Sequence, residues 1–265
     1  MSVDLSGQLG NQMFEIATAY AYALDHGIPL LVPDLANRGD ADGTAENARR
    51  LFQKVSSEPW PVSPTCDYTE SGFEYHPLPI TERLHLHGYF QSERYFAHRR
   101  AEILELFQFD PKIWAEVLKR YPQLKHPHKV GVHVRPYFFE TGTDFYPSFG
   151  THYFRRAIEQ FPPDCLFVVC SNALDYAKKV MAPIAGRQFL FIEGTNRFDD
   201  MMILSKCDHL IGSNSSFSWW AAWLEDRAGR RVIMPRPWFG PALPLNIQDL
   251  VPDRWEILDS YSEAP

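Results

Sequence analysis

The residues from Asn214 to Ser218 combine an amide and three serine hydroxyls with the predicted start of a helix. Hydroxyls and the N–H groups of a helix N-terminus donate hydrogen bonds, and the helix dipole adds positive potential, so this pattern favours a phosphate. The same residue types cap ordinary helices, and Trp219, Trp220 and Trp223 have the spacing of a buried helix face. The segment alone therefore leaves two interpretations open, a phosphate site and a plain helix cap.

The segment 129–135 predicts a buried strand that ends in a cation. Its valines alternate with Gly131, His133 and Arg135, which places His133 and Arg135 on one face of the strand. A guanidinium offers several fixed donors to phosphate oxygens, so Arg135 is a candidate phosphate ligand. A buried arginine paired with a carboxylate fits this segment equally well.

A glycine turn at residues 7–12 lies between an extended segment and a helical pattern. Gly7 and Gly10 would let the backbone approach a pyrophosphate or a sugar closely. The third glycine of the dinucleotide-binding fingerprint is absent, and two glycines also fit a simple tight turn. The chain contains neither a serine-hydrolase elbow nor a phosphate loop ending in Gly-Lys-Ser or Gly-Lys-Thr, which removes two other classes of site.

Two histidine pairs have a spacing at which a strand could present both rings to a metal ion: His85 with His87, and His126 with His128. We find no acidic or cysteine residue at ligand spacing near either pair, and 10 histidines place two close together by chance. Both pairs are predicted to be surface or structural histidines. No metal ligand is assigned.

The elements that must position these motifs alternate between strands and helices. In the second half, apolar strands are predicted at 130–134, 165–170, 189–192, 209–212 and 232–234, with helical patterns between them. Such alternation indicates an α/β fold with a doubly wound parallel sheet, whose ligands bind beyond the carboxyl ends of the strands.

The first half contains the glycine turn, its helix and further predicted strands at 28–32 and 84–89. Residues 33–48 are predicted to be a loop, and the proline-rich residues 58–79 to be irregular. A Pro- and His-rich segment, 121–128, separates two lobes, which we place at 1–125 and 126–265.

Composition restricts the class of protein. The 265 residues are 45% apolar, 14% aromatic and 22% charged, as expected of a globular chain with a sizeable core. A net charge of −7 argues against a broad surface for nucleic acid or an acidic membrane. The four cysteines lack metal-ligand spacing, which predicts free thiols and a reducing compartment. With no apolar span and no leader pattern, we expect a cytoplasmic protein, and peripheral membrane contact stays open.

Several of these segments, taken in order, resemble the bacterial α1,2-fucosyltransferase family. The matching segments are 7–14, 87–96, 132–135 and 214–224, followed by 237–239 and 251–255. The resemblance runs nearly the length of the chain, and the last long motif is its most specific part. It implies two Rossmann-like lobes of the GT-B type, with an acceptor lobe before a donor lobe.

The resemblance implies transfer of L-fucose from GDP-β-L-fucose to the 2-hydroxyl of a galactoside on a glycan, with inversion and without a metal or other cofactor. It also implies roles for the motif residues. Arg135 would bind the pyrophosphate and act in catalysis, His133 would lie along the nucleotide, and Asp200 would bind guanine. The phosphates would be held at Ser215, Ser216 and Phe217, with Asn214 in the same nucleotide-sugar site, and Gly10 and Asn11 would line the cleft where sugar and acceptor meet.

One departure from the family lies directly after Arg135. The family continues with a second Arg, a Gly and an Asp-Tyr pair, whereas this chain has Pro-Tyr-Phe-Phe-Glu at 136–140. Glu140 and Asp144 are candidates for the lost carboxylate, and no general base is assigned. Two alternatives stay open: a transferase that uses another nucleotide sugar, and a relative that binds a nucleotide sugar or glycan without turnover.

Overall fold

The computed structural model describes residues 1–61, 63–137 and 144–260. The described chain divides into two compact units. Unit 1 consists of Met1–Phe109 and Leu245–Pro252, and unit 2 of Asp110–Pro244 and Asp253–Pro265. The division therefore lies before the segment 121–128 at which the sequence suggested a lobe boundary. Glu140 lies outside the described residues.

Unit 1 contains a three-stranded parallel sheet. Its strands are β1 (Ser2–Val3), β2 (Cys66–Thr69) and β3 (Leu84–His87), in the order β1-β3-β2. Its helices are α1 (Leu9–His26), α2 (Asp34–Asn37), α3 (Thr44–Arg50) and α4 (Arg100–Leu106). In β3 the leucines are buried and the histidines are half-exposed, so one face of the central strand is apolar and the other polar.

Unit 2 contains a six-stranded sheet whose strands are all parallel, in the order β6-β5-β4-β7-β8-β9. The strands are β4 (Lys129–Val134), β5 (Leu166–Ser171), β6 (Gln188–Phe191), β7 (His209–Ile211), β8 (Val232–Arg236) and β9 (Glu256–Asp259). The helices are α5 (Pro111–Arg120), α6 (Thr151–Ile158), α7 (Leu174–Met181), α8 (Arg197–Ser205) and α9 (Ser216–Trp223). The prediction of a parallel α/β sheet is confirmed.

The two faces of β4 meet different helices, as its alternating sequence requires. Val130, Val132 and Val134 pack in the apolar core that includes residues of α6 and α7. On the other face, a Cβ added at Gly131 would lie 3.1 Å from Leu204 Cδ2 of α8. A glycine at this position therefore lets α8 approach the sheet closely.

The tryptophans of α9 belong to the core. Trp219, Trp220 and Trp223 are fully buried, and the Trp219 ring lies 5.3 Å from that of Trp255. Their prediction as a buried helix face is confirmed. All four cysteines are free thiols, and three of them are buried. In the described part of the chain, no helix has both the length and the apolar character needed to span a membrane.

Several local predictions for unit 1 are wrong. The segment 28–32 forms one isolated bridge, Leu31 with Ser56, instead of a strand, and Pro29 lacks the N–H that a ladder would need. The predicted loop 33–48 contains α2 and the start of α3. Helix α3 buries Thr44 and Asn47 and no apolar side chain, so it carries no hydrophobic period. The region 58–79 contains β2.

Candidate functional site

The turn between β7 and α9 forms the centre of the candidate site in unit 2. Ser215 is the N-cap of α9, and its Oγ accepts the Phe217 N–H at 3.2 Å. Ser215, Ser216 and Phe217 are half-exposed, whereas the rest of the helix is buried. The N-terminus of α9 is thus the accessible end of a buried helix, located at the carboxyl edge of the sheet, where parallel α/β sheets bind ligands.

Hydrogen bonds from Ser213 join this turn to the end of β4. The Ser213 hydroxyl donates to the His133 carbonyl at 2.8 Å and accepts the Arg135 N–H at 3.0 Å. The Arg135 guanidinium lies 5.1 Å from the centre of the Tyr137 ring, and the Tyr137 hydroxyl donates to the Asn214 carbonyl at 2.9 Å. Arg135 and the serine turn are therefore brought together, although 78 residues separate Arg135 from Ser213.

His133 supports the turn from within the protein. Its side chain is buried, its Nδ1 lies 2.6 Å from Ser218 Oγ, and its ring centre lies 4.9 Å from that of Phe217. Burial, with a smaller contribution from the charge of Arg135, lowers the pKa of His133 to about 3. The imidazole is therefore neutral near pH 7. Its contact with a nucleotide stays a prediction, whereas its packing against Phe217 and Ser218 is observed.

Gly212 and Asn214 fix the backbone of the turn. A Cβ at Gly212 would clash with the Met234 side chain and lie 3.1 Å from Ser218 Cβ, so a side chain here would push Met234 aside and crowd the start of α9. The buried Asn214 amide donates from Nδ2 to the Trp238 carbonyl at 2.8 Å. The Oδ1 atom of Asn214 is buried and has no hydrogen-bond partner among the described residues. These contacts hold the turn in one conformation.

Asp200 lies in the first turn of α8, close after the end of β6. Asn196 caps this helix, and the Thr195 hydroxyl donates to Asp200 Oδ1 at 2.5 Å. The pKa of Asp200 is raised to about 6, mainly by burial; the hydrogen bond from Thr195 opposes this shift, and the charge of Asp199 adds to it. Asp200 is thus a half-buried carboxylate near the carboxyl edge of the sheet. Its binding to guanine stays a prediction.

Gly10 and Asn11 lie in unit 1, at the start of α1. Gly7 has φ +63°, and a Cβ there would lie 2.3 Å from Asn11 Nδ2, so the turn requires glycine on both counts. Asn11 Oδ1 accepts a hydrogen bond from Gln91 Nε2 at 3.0 Å. The glycine turn and the segment 87–96, two of the segments that carry the family resemblance, are therefore in contact. The acceptor-side role of Gly10 and Asn11 is not tested by this contact.

The fold brings an acidic residue to His85 and His87, although none lies at ligand spacing from them in the sequence. Asp4 Oδ1 lies 3.0 Å from His85 Nε2, and Asp4 Oδ2 lies 2.6 Å from His87 Nδ1. The parallel pairing of β1 with β3 brings Asp4 to the histidines from 81 and 83 residues away, which sequence spacing does not reveal. His126 is half-exposed and His128 is exposed, and His126 Nδ1 contacts the backbone of His128.

Glu70 is a buried carboxyl that sequence reasoning missed. Its Oε2 accepts the N–H groups of Tyr89 and Phe90, each at 2.8 Å, and Oε1 has no hydrogen-bond partner among the described residues. Gly88 has φ +145°, and a Cβ there would lie 2.4 Å from Glu70 Cβ; Phe90 has φ +50°. Glu70 therefore holds the turn after β3 in a strained backbone conformation.

Burial raises the pKa of Glu70 from 4.5 to about 7, and the two backbone N–H groups oppose this shift. Between these values the folded chain keeps a proton that the unfolded chain has lost, so the free energy of unfolding falls as pH rises. Glu70→Gln removes the titration and can still accept both N–H groups. At pH 8 we expect the variant to gain roughly 1 kcal/mol, or about 3 °C in Tm.

Thermal unfolding at pH 5 and pH 8 measures this effect. Glu82→Gln, at an exposed position of the same unit, is the matched control, and its Tm should equal that of the wild type at both pH values. A Glu70→Gln variant that is less stable than the wild type at pH 8 would show that the ionised carboxylate stabilises the turn, contrary to this interpretation.

Comparison with known proteins places this geometry in context. The profile of glycosyl transferase family 11 matches residues 44–238. An α1,2-colitosyltransferase of Escherichia coli is 27% identical over 95% of this chain and 96% of its own length. A galactoside α(1,2)-fucosyltransferase 2 of Oryctolagus cuniculus is 27% identical over 84% of this chain and 66% of its own length.

Solved structures show a likeness in fold. The fucosyltransferase NodZ from Bradyrhizobium matches with a TM-score of 0.55 and 14% identity over 83% of this chain and 91% of NodZ. A structure of NodZ α1,6-fucosyltransferase soaked with GDP-fucose gives a TM-score of 0.51 and 14% identity over 84% of this chain and 91% of that chain. The predicted α/β fold of the GT-B type is confirmed.

Proposed function

This chain belongs to glycosyl transferase family 11, and on that premise we propose that it is a galactoside 2-α-L-fucosyltransferase. It transfers L-fucose from GDP-β-L-fucose to the 2-hydroxyl of a terminal galactoside on a glycan, with inversion and without a metal at the donor site. The rabbit relative is named as a galactoside α(1,2)-fucosyltransferase, and a structural neighbour was soaked with GDP-fucose. Both names support the choice of donor and of acceptor.

One observation carries the proposal: the cationic end of β4 and the N-terminus of α9 are joined at the same edge of the sheet. Breaking the bond between fucose and phosphate leaves negative charge on departing GDP. A guanidinium and a helix N-terminus stabilise that charge without reorganising during the reaction, which is the contribution often made by a metal ion. Arg135 would bind the pyrophosphate, and Ser215, Ser216 and Phe217 would bind its oxygens through hydroxyl and backbone N–H groups.

The neutral His133 fits this assignment as a positioning residue. Its ring packs on Phe217, and its Nδ1 contacts the Ser218 hydroxyl, which in turn accepts the Ser213 N–H at 3.1 Å. Because the imidazole carries no charge near pH 7, it does not compete with Arg135 for the diphosphate. We propose that Asn214, held by Trp238, keeps the turn open to the nucleotide.

We further propose that the two units contribute to binding different substrates. Unit 2 binds the nucleotide sugar, because it contains Arg135, Asp200 and the serine turn. Unit 1 contributes Gly10 and Asn11 on the acceptor side. Asn11 is positioned by Gln91, so the side-chain amide of residue 91 would act through Asn11.

Asp200 gives this proposal a pH dependence. An ionised carboxylate accepts the N1 and N2 hydrogens of guanine, and a protonated one does so poorly. With the pKa of Asp200 raised to about 6, affinity for GDP should fall as pH decreases from 7.5 to 5. At one pH unit below the pKa the carboxylate fraction is about a tenth, so the expected loss is up to about tenfold.

Calorimetric titration with GDP at the two pH values measures that loss. Asp200→Asn is the control, since the phosphate of GDP titrates equally in both proteins and the ratio of their affinities isolates the carboxyl group. A ratio that does not change with pH would remove Asp200 from the guanine site.

The proposed activity is tested by incubating the protein with GDP-fucose, EDTA and a panel of galactosides. We expect an α1,2-linked product and release of GDP. Absence of both transfer and GDP-fucose hydrolysis across the panel would contradict the assignment.

A second candidate donor is favoured by one relative. The Escherichia coli protein is named as an α1,2-colitosyltransferase, and it matches this chain over nearly its whole length. A transferase that uses another nucleotide sugar is therefore the main alternative, and competition between GDP-fucose and a colitosyl donor distinguishes the two. Tight binding of GDP-fucose without product would instead indicate a non-catalytic relative, to which the altered segment after Arg135 also points.

A further inference from the structure

The polar face of the unit 1 sheet gathers potential metal ligands outside the proposed donor site. His85 and His87 lie on one face of β3, two residues apart. Ser2 of β1 and Asp67 of β2 are both in register with His85. Asp4 follows β1 directly, where its N–H donates to the Leu86 carbonyl at 3.1 Å.

We propose that Asp4, His85 and His87 bind one divalent transition-metal ion of the Zn²⁺ class. One ligand atom from each of the three side chains lies within 4.8 Å of the others. The converging atoms are the Asp4 carboxylate, His85 Nε2 and His87 Nδ1. Imidazole nitrogens with one carboxylate suit zinc or its neighbours in the first transition row, whereas Mg²⁺ and Ca²⁺ prefer sites made only of oxygen.

The outer nitrogen of each histidine also has an oxygen partner. His85 Nδ1 lies 2.5 Å from Ser2 Oγ, and His87 Nε2 lies 3.4 Å from Asp67 Oδ1. Metal-binding histidines commonly donate their second N–H to a hydroxyl, carbonyl or carboxylate, which fixes the ring and makes the inner nitrogen a better ligand. Both rings are thus already oriented with their inner nitrogens toward Asp4.

Solvent can reach the site. The exposed fractions are 18% for the His85 side chain, 36% for His87 and 49% for Asp4. An ion can therefore enter and keep water as its fourth ligand. In doing so it would replace the hydrogen bonds from the histidines to Asp4.

This inference does not depend on the proposed transferase activity. All five side chains belong to unit 1. A bound ion would fasten the end of β1, which leads into the glycine turn, to the end of β3, which leads into Gly88 and Gln91. We therefore expect metal binding to raise the Tm, by mass action on the folded state.

The experiment uses the full chain after removal of metal with a chelator that is then dialysed away. Titration with ZnCl₂ followed by calorimetry should give one ion per chain, and Co²⁺ should give the visible absorption of a four-coordinate site. The double variant His85→Ala with His87→Ala should lose at least about 100-fold in affinity. Asp67→Ala, which removes only an outer partner, should lose no more than about tenfold.

Two variants control for other ligands. His126→Ala with His128→Ala removes the other histidine pair of the same spacing, and Cys66→Ser removes the one half-buried thiol. Both variants should bind Zn²⁺ as the wild type does. Circular dichroism establishes that each variant is folded. If the His85/His87 variant does not fold, Asp4→Asn provides the test, with an expected loss of at least tenfold. Absence of uptake by the wild type, or unchanged affinity in the variants of the cluster, would overturn the proposal.

Discussion

Arg135→Ala is expected to lower the kcat for sugar transfer by at least about 100-fold, which corresponds to about 3 kcal/mol of transition-state stabilisation. On our proposal the guanidinium lies where the diphosphate charge develops, and the Arg135 N–H is held by the Ser213 hydroxyl. Arg135→Lys keeps the charge but loses the planar fork of donors, so we expect an intermediate rate.

Initial rates at saturating GDP-fucose and acceptor measure this effect, with circular dichroism to establish folding. Arg227→Ala is the matched control, because Arg227 is an exposed arginine of unit 2 that forms an ion pair with Asp208 at 3.5 Å. The control should retain the wild-type rate. A wild-type rate in Arg135→Ala would mean that Arg135 does not stabilise the leaving group.

Arg230→Met is expected to lower the free energy of unfolding by about 3 kcal/mol, the largest stability effect that we anticipate in unit 2. The buried guanidinium donates to the carbonyls of Ala222 at 3.0 Å, Leu204 at 3.1 Å and Ala221 at 3.4 Å. These carbonyls lie near the C-terminal ends of α8 and α9, where a cation is favourable. Burial lowers the pKa of Arg230 to about 10, so the side chain stays charged near pH 7.

Replacing this side chain by methionine fills much of the same volume but removes the guanidinium donor from all three carbonyls, of which Leu204 keeps the Cys207 N–H. Equilibrium unfolding in urea measures the loss. Arg227→Met is the control, because Arg227 is an exposed arginine whose ion pair with Asp208, at 3.5 Å, should contribute less than about 1 kcal/mol. Equal losses in the two variants would show that Arg230 does not hold the helix ends.

The architecture of unit 2 could be predicted because its strands carry a strong signal. The predicted strands at 130–134, 165–170, 189–192, 209–212 and 232–234 all occur, with ends that differ by one or two residues. Each is a short run of apolar residues, as expected of a sheet covered on both faces. Strand β9 escaped prediction because, at the edge of the sheet, its first two residues are exposed and its last two are half-buried.

The elements of unit 1 that escaped prediction are short and polar. β2 shows only the alternation of four residues between proline-rich segments, and α3 buries polar side chains. At 28–32 a strand was predicted that does not form: this apolar run, which includes Pro29, forms only the bridge from Leu31 to Ser56. In each case tertiary contacts, and not local pattern, decided the structure.

In the candidate site, too, local sequence predicted some features, and tertiary contacts decided the others. Local sequence predicted the cap at Ser215 and the cation at Arg135. It could not predict that Tyr137, within the altered segment after Arg135, contacts the Asn214 carbonyl, or that Asp4 reaches the histidines of β3. Contacts across parallel strands join residues that are distant in the chain, and a single sequence does not state the order of its strands.

A crystal structure of the protein with GDP tests the central claim most directly. We predict that the diphosphate lies within hydrogen-bond distance of the Arg135 guanidinium and of the hydroxyl or backbone N–H groups of residues 215–217, with guanine at Asp200. A nucleotide bound elsewhere, with no contact to Arg135 or to this turn, would contradict the assignment of the donor site.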